Sequence, residues 1–239
     1  YKRQTSYNMN FAPFAFENNI VSSLPSGLTL DLWQGNYTAG ASTWASSVGG
    51  INATMLAGGF TKTTNVITGL NFTGTTAQTL FSVAKDSGAF PNAGGTLVLY
   101  MNITSTTNKT LWGKQTTSAN GMGVDFTNNP YYLMRAPSSS QQITTTVTTS
   151  RGTHVYTFAT AGGTNDTTAQ YFLDKTTPTM TISATAVTSW NNGFDFTFGK
   201  ASSWTDPSIQ GVLNRLMFFS RRLTNAEVST VVDYCTANA

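Results

Sequence analysis

Charge is what this sequence has least of. Its 239 residues include 13 Lys and Arg and 10 Asp and Glu, 10 % in all, where an ordinary soluble domain carries about 25 %. The net charge of +3 therefore rests on few groups rather than on a basic stripe, and nucleic-acid binding is disfavoured. Cysteine occurs once, at Cys235, which excludes an intrachain disulfide and any cysteine-rich zinc site. Histidine also occurs once, at His154. A metal cluster of several histidines is excluded, and a Ser-His-Asp triad could only be built around that residue. Glutamate stands only at Glu17 and Glu227. No run approaches the roughly eighteen apolar residues that a spanning helix needs, and the stretch FAPFAF is short and broken by Pro13. No repeat of 20 to 50 residues is visible. The chain opens on Tyr1 rather than Met, as expected of a processed product or a part of something longer.

What is abundant is aromatic and β-branched. Fifteen Phe, nine Tyr and five Trp supply core material that disordered chains lack, and Thr, Ser and Asn fill much of the rest. Thr suits the open face of a pleated sheet, and the helix formers Glu and Lys are scarce, so the class is all-β. Residues 1–22 read as an aromatic arm that packs on the main domain or on a neighbouring subunit, and residues 23–239 as one β-sandwich. Leu28, Leu30 and Leu32 alternate with Thr29, Asp31 and Trp33, a half-buried strand with Trp33 on the face opposite the leucines. A Gly/Ser/Ala loop follows over 35–59, with Trp44 its largest residue. Further strands are expected at 65–72, 78–85, 96–104, 110–114, 131–135, 142–149, 154–159, 169–174, 179–186, 194–199 and 211–220. Pro130, Pro137, Pro178 and Pro207 fall between these runs, as the assignment requires. The one helix closes the chain: Thr224 and Glu227 have capping-box spacing, and Val228, Val231, Val232 and Cys235 form one apolar stripe. Six Asn-x-Thr triplets, at Asn36, Asn52, Asn71, Asn102, Asn108 and Asn165, are about what this composition produces by chance and carry no weight.

Several of these segments resemble one family. GLTLDLWQGNYTAGASTWASSVGGINATMLAGG with GLNFTGTTAQTL near the start, TLVLYMNITSTTNKTLWGK, THVYTFAT and QYFLDKTTPT in the middle, and GVLNRLMFFSRRLTNAEVSTVVDY at the end resemble, in order, the concanavalin A-like, laminin-G-type sandwich domains of phage, large-virus and secreted bacterial proteins. The resemblance covers about residues 24–239. It implies a two-sheet antiparallel jelly-roll sandwich with a short C-terminal helix, and a concave face or rim loops that bind glycans in many members, sometimes with calcium. The sequence departs from that pattern where relatives carry acids: Trp33 stands just after the first strand, and Ser46 replaces the acid of the following turn. A calcium ion wants six to eight oxygens with carboxylates among them, so its expected ligands are missing and no cofactor is assigned.

The chemistry of sugar cleavage is also absent from the pattern. The glycosidase signature E-x-D-x-x-E of some sandwich relatives cannot be written with two glutamates, one of them capping a helix. Asp31, Asp125, Asp174, Asp195 and Asp206 are the remaining carboxyl candidates for a catalytic pair. Each sits beside a turn or on a polar strand position, where Asp usually caps or is solvated, and the reading is of a chain that is not an enzyme. His154 alternates with Tyr156 and Phe158 and reads as a packing residue, and Cys235 as a buried structural thiol. What remains is a surface for holding glycans or neighbouring structural subunits, further copies of the chain included. Of the five tryptophans at least three belong to the core. Trp190 and Trp204, in polar loop-like contexts, are the best exposed stacking candidates, with Trp33, Tyr131 and Tyr132 beside them. The expected role is glycan attachment or decoration on a virus particle or extracellular assembly, and the alternative is a carbohydrate-binding module of a longer secreted enzyme.

Overall fold

The computed structural model describes residues 23–56, 61–64, 68–72, 79–104, 109–117, 120–126, 132–135, 142–145, 151–164, 166–182, 187–199 and 210–238. The arm over 1–22, Tyr131 and Trp204 lie outside the described residues. The strands in chain order are β1 (Leu28–Trp33), β2 (Thr43–Ala45), β3 (Asn52–Met55), β4 (Thr61–Thr64), β5 (Thr68–Phe72), β6 (Phe81–Val83), β7 (Gly95–Ile103), β8 (Lys109–Thr117) and β9 (Asn120–Phe126). They continue with β10 (Tyr132–Arg135), β11 (Gln142–Thr145), β12 (Gly152–Thr160), β13 (Gly163–Thr164), β14 (Gln170–Leu173), β15 (Met180–Ile182), β16 (Val187–Thr188), β17 (Phe196–Phe198) and β18 (Gly211–Phe219). Helix α1 (Asn225–Ala237) follows.

Two antiparallel sheets make a β-sandwich. A seven-stranded sheet runs β14-β12-β7-β18-β5-β4, with β1 also paired to β18, and a nine-stranded sheet runs β15-β11-β10-β9-β8-β17-β6-β3-β2. Strands β1 and β5 lie end to end along the same edge of β18: β1 takes Arg215 to Phe219, and β5 takes Gly211 to Leu213. A bulge at Asn214 separates the two stretches.

The chain's two longest apolar runs explain the layering. Strand β18 is buried at all nine positions, and β7 at eight of nine. Such runs belong to strands covered on both faces. Leu97, Leu99 and Met101 of β7, with Leu216 and Phe218 of β18, point between the sheets and share a core with Phe81, Trp112 and Phe198. The alternate residues Val98, Tyr100, Met217 and Phe219 point outward and pack under Val228, Val231, Val232 and Cys235 of α1. The helix is thus a third layer over part of the seven-stranded sheet. Its capping box is formed as the sequence suggests: Thr224 Oγ1 accepts from the Glu227 N–H, and Glu227 accepts from the Thr224 N–H at 2.8 Å.

Six strands lie outside those expected from the sequence: β2, β3, β4, β9, β13 and β16. The segment expected as a loop over 35–59 contains β2 and β3, and Trp44 lies on β2, buried. These strands have three and four residues, too short for alternation to stand out among Gly, Ser and Ala. Strand β9 is diluted by Gly121 and Gly123 and is formed by its ladder to β8 rather than by local propensity. At the opposite end, Gly162 has a φ of +85°, and a Cβ there would come within 2.5 Å of the Gly94 nitrogen. Glycine is what allows those two turns to touch.

Candidate functional site

The aromatic candidates separate cleanly. Trp190 is not a surface residue. It is fully buried, its indole N–H donates to Thr160 Oγ1 at 3.0 Å, and its ring lies 5.0 Å from that of Trp112 and 4.8 Å from that of Phe218. Gly95 leaves room for this stack, since a Cβ there would meet the Phe218 ring at 2.3 Å. The polar neighbours of Trp190 in sequence are the rim of a turn whose one large side chain turns inward. Trp44 and Trp112 are buried too, so the expectation of at least three core tryptophans holds, with a different membership. Tyr132 opens β10 opposite Phe126. Trp33 is half-buried, on the outer face of the seven-stranded sheet opposite Arg215, as its alternation with the leucines predicts. Its carbonyl accepts the Trp44 indole N–H at 2.9 Å, and its own Nε1 is buried with no partner.

The acids are mostly bound within the fold. Asp31 is buried, not solvated. Arg215 grips it with Nε at 2.7 Å and Nη2 at 2.6 Å, and the same Nη2 donates to Tyr234 Oη at 3.0 Å. Ser46 Oγ accepts the Asp31 N–H at 2.9 Å, and Ser47 Oγ donates to the Asp31 carboxylate. The hydroxyls in the turn where an acid was expected thus hold Asp31 in place. Asp174 sits at a left-handed φ of 54° in a tight turn, accepting from the Val155 N–H at 2.9 Å, and its other oxygen lies 2.7 Å from His154 Nδ1. His154 is therefore a hydrogen-bonding partner as well as a packing residue against Tyr156. Asp166 accepts from the N–H groups of Ala161, Gly162 and Thr168, and Asp195 from that of Lys85 at 2.9 Å. Asp125 lies on β9, paired with Thr110 and Leu133, and Asp206 is outside the described residues. Among the described residues no three His, Cys, Asp or Glu side chains gather to hold a metal ion.

Among the described residues one cation is buried without a carboxylate partner. Lys114 on β8 is 1 % exposed, donates to the Phe194 carbonyl and lies 4.4 Å from the centre of the Phe90 ring. Burial drives its ammonium down to about 8, against a smaller opposing pull from Asp195. Burial likewise pushes the Cys235 thiol up to about 12, so it is inert at neutral pH.

The open polar surface of most interest lies beside α1. Cross-strand partners share a face, and Thr153 pairs with Asn102, Asn102 with Val212, and Val212 with Asn71. Their strand neighbours Met101, Ile103, Leu70, Phe72 and Leu213 belong to the inter-sheet core, so this row points outward. Thr153, Asn102 and Asn71 are half-buried around a covered Val212. Trp33 lies on the same face, along β18 beyond the bulge, and pairs with Arg215, whose guanidinium lies 4.6 Å from the ring centre of Tyr234 of α1. Only Trp33 of this group is a sequence candidate; the others come together through strand register, which local sequence does not display.

Neither a family model nor a curated protein matches the sequence. Solved structures match the fold. Domain 4 of AbnA, a GH43 extracellular arabinanase from Geobacillus stearothermophilus solved with arabinotriose, superposes with a TM-score of 0.64 at 13 % identity over 86 % of this chain and 98 % of that one. Trypanosoma rangeli sialidase superposes with a TM-score of 0.62 at 15 % identity over 90 % of this chain, which spans 33 % of the sialidase. The binding domain of botulinum neurotoxin DC, solved with rat synaptotagmin II, gives 0.63 at 10 % identity over 87 % of this chain and 52 % of that one. At these identities the likeness is one of fold, a two-sheet β-sandwich.

Proposed function

We propose that this chain is a non-catalytic sandwich that binds glycans, carried on the surface of a virus particle or an extracellular assembly. The observation that carries the glycan reading is the shared fold with Domain 4 of AbnA, a domain solved with arabinotriose and matched over 98 % of its length. The non-catalytic part is supported by the acids. Sugar cleavage by two carboxyls needs a pair about 5 Å or 6.5–9.5 Å apart across a groove. Asp31, Asp166, Asp174 and Glu227 are instead engaged by Arg215, turn amides, His154 and a helix cap. A specific observation favours a second reading, a carbohydrate-binding module of a longer secreted enzyme: the sandwich is one domain of the arabinanase and a third of the sialidase chain.

An immobilised glycan panel, probed with the purified chain, tests the first point. Binding to at least one oligosaccharide class with no release of reducing sugar is the expected result. Binding to none removes the glycan reading, and bond cleavage removes the non-catalytic one. Mass spectrometry of the natural polypeptide separates the two contexts, since a covalently attached catalytic domain favours the enzyme module.

A further inference from the structure

We infer that the open part of the outer face of the seven-stranded sheet, beside the last turn of α1, is the oligosaccharide-binding face, with Trp33 as stacking ring and Asn71, Asn102 and Thr153 as the hydrogen-bonding row. The assignment rests on the glycan reading above and adds where on the molecule the sugar sits. Val98, Val155, Val212, Met217 and Phe219 form one cluster with the apolar stripe of α1, and Tyr234 of the helix meets Arg215 on the same face. Around Val212 the same face carries half-buried polar side chains.

Two features of that row point to a ligand. Asparagine is depleted in strands, yet Asn102 and Asn71 occupy the strands on either side of β18, opposite the same Val212. Neither their side chains nor that of Thr153 hydrogen-bonds to any described residue. The buried Trp33 Nε1 is also without an acceptor. The amides and hydroxyl are not among the buried unpaired groups; they face solvent with their hydrogen-bonding capacity unused within the fold, and so are available to a ligand. Each amide offers a donor and an acceptor, and the threonine hydroxyl offers both, which suits the donor-and-acceptor hydroxyls of a sugar. The indole of Trp33, packed on one side against Gly35, lies on the same face of the sheet and suits the apolar C–H face of a pyranose or furanose ring. The row from Thr153 to Asn71 crosses three strand spacings, about 14 Å, enough for an oligosaccharide rather than a single ring. The guanidinium on this face, Arg215, is already bound to Asp31, so the recognising groups are neutral. Arg151 stands at the rim, two residues from Thr153, and a sialylated probe reveals whether it contributes.

The test uses the full chain made in a bacterial host, so that Asn71-Phe72-Thr73 and Asn102-Ile103-Thr104 stay free of attached glycan. Arabino-, gluco- and galacto-oligosaccharides form the neutral arm of the panel and sialylated glycans the anionic arm. For whichever probe binds, Asn71→Ala and Asn102→Ala each weaken affinity about threefold to tenfold, and Trp33→Ala weakens it at least as much. Thr54→Ala, on the outer face of the other sheet, leaves it unchanged. Because Trp33→Ala also removes packing, an independent measurement accompanies it: the side-chain NH2 signals of Asn71 and Asn102 shift on titration with the same probe in the unaltered protein. A wild-type chain that binds sugar while the asparagine variants and NH2 signals stay unchanged overturns this face and leaves the glycan reading standing. A wild-type chain that binds no probe overturns both.

Discussion

At the scale of single residues, the buried pair of Asp31 and Arg215 ties β1, β18 and α1 together. Both side chains are almost fully covered, at 4 % and 6 % exposure, and the second guanidinium contact, to Tyr234, belongs to the helix. Removing one partner leaves an uncompensated buried charge, which costs about 3–5 kcal/mol, whereas replacing both with apolar groups is often neutral. Asp31→Asn and Arg215→Met are each expected to lower unfolding free energy by that order in urea titrations, and Asp31→Leu with Arg215→Met to recover most of it. A double variant as unstable as the sum of the two would show that Asp31 and Arg215 contribute independently of each other, through their other contacts, and not as a pair. Neither partner announces this in the sequence. Asp31 reads as an ordinary polar strand position because Arg215 is 184 residues away. Trp190 is misread for the same reason: its neighbours in TSWNNG are polar, and what buries it is the stack of Trp112, Phe90 and Phe218. Trp190→Ala is expected to cost about 3–5 kcal/mol by leaving a cavity, and Trp190→Phe distinctly less. Trp33, by contrast, is placed correctly by period-two alternation alone, because its face depends only on its own strand.

Elements were readable in proportion to how locally they are specified. Helix α1 has its cap, its stripe and its start in consecutive residues, and the structure forms all three. The long strands β7, β12 and β18 carry enough apolar or alternating residues to stand alone, whereas β2, β3 and β9 exist because a neighbour offers a ladder. The helix also gives the clearest acid-side prediction. The Arg221 guanidinium, hydrogen-bonded at 2.5 Å, and then the Thr224 N–H hold the Glu227 carboxyl down to about 2. A carboxyl lowered on folding contributes stability that is fully present above its unfolded range near 4.5 and disappears as pH falls through 2. Far-UV circular dichroism between pH 5 and 2 should show the thermal midpoint falling, with the fall reduced in Glu227→Gln. Thr224→Ala should cost about 1 kcal/mol at neutral pH through loss of the cap. An unchanged acid slope in Glu227→Gln would assign the acid loss to another carboxylate.

For the molecule as a whole, the layers set an uncommon alkaline behaviour, because among the described residues both enclose groups that titrate there. Lys114 lies between the sheets and Cys235 between the seven-stranded sheet and the helix. Lys114 titrates near 8 in the fold and near 10.5 when unfolded, so from pH 8 upward the folded chain sheds its proton first. Stability therefore rises with pH, by at most about 1.4 kcal/mol per unit for one group. Cys235 has the opposite sign: its pKa moves from 9.0 unfolded to about 12 folded, so its contribution is complete below 9 and falls away above. The Tyr100 hydroxyl, raised above 10.0 by burial, acts in the same direction as the thiol at still higher pH. The two opposing slopes leave one window, between pH 8 and 9, in which Lys114 alone is felt. Urea unfolding followed at pH 7, 8, 9 and 10 should show stability climbing from 8 to 9 and then levelling. Lys114→Met removes the climb and keeps similar volume, with the Phe194 carbonyl left unpaired as the opposing cost. Cys235→Ala should instead let the climb continue to pH 10. A wild-type curve flat from pH 7 to 9 would mean that the ammonium reaches solvent and that the inter-sheet core is looser at β8 than its packing implies.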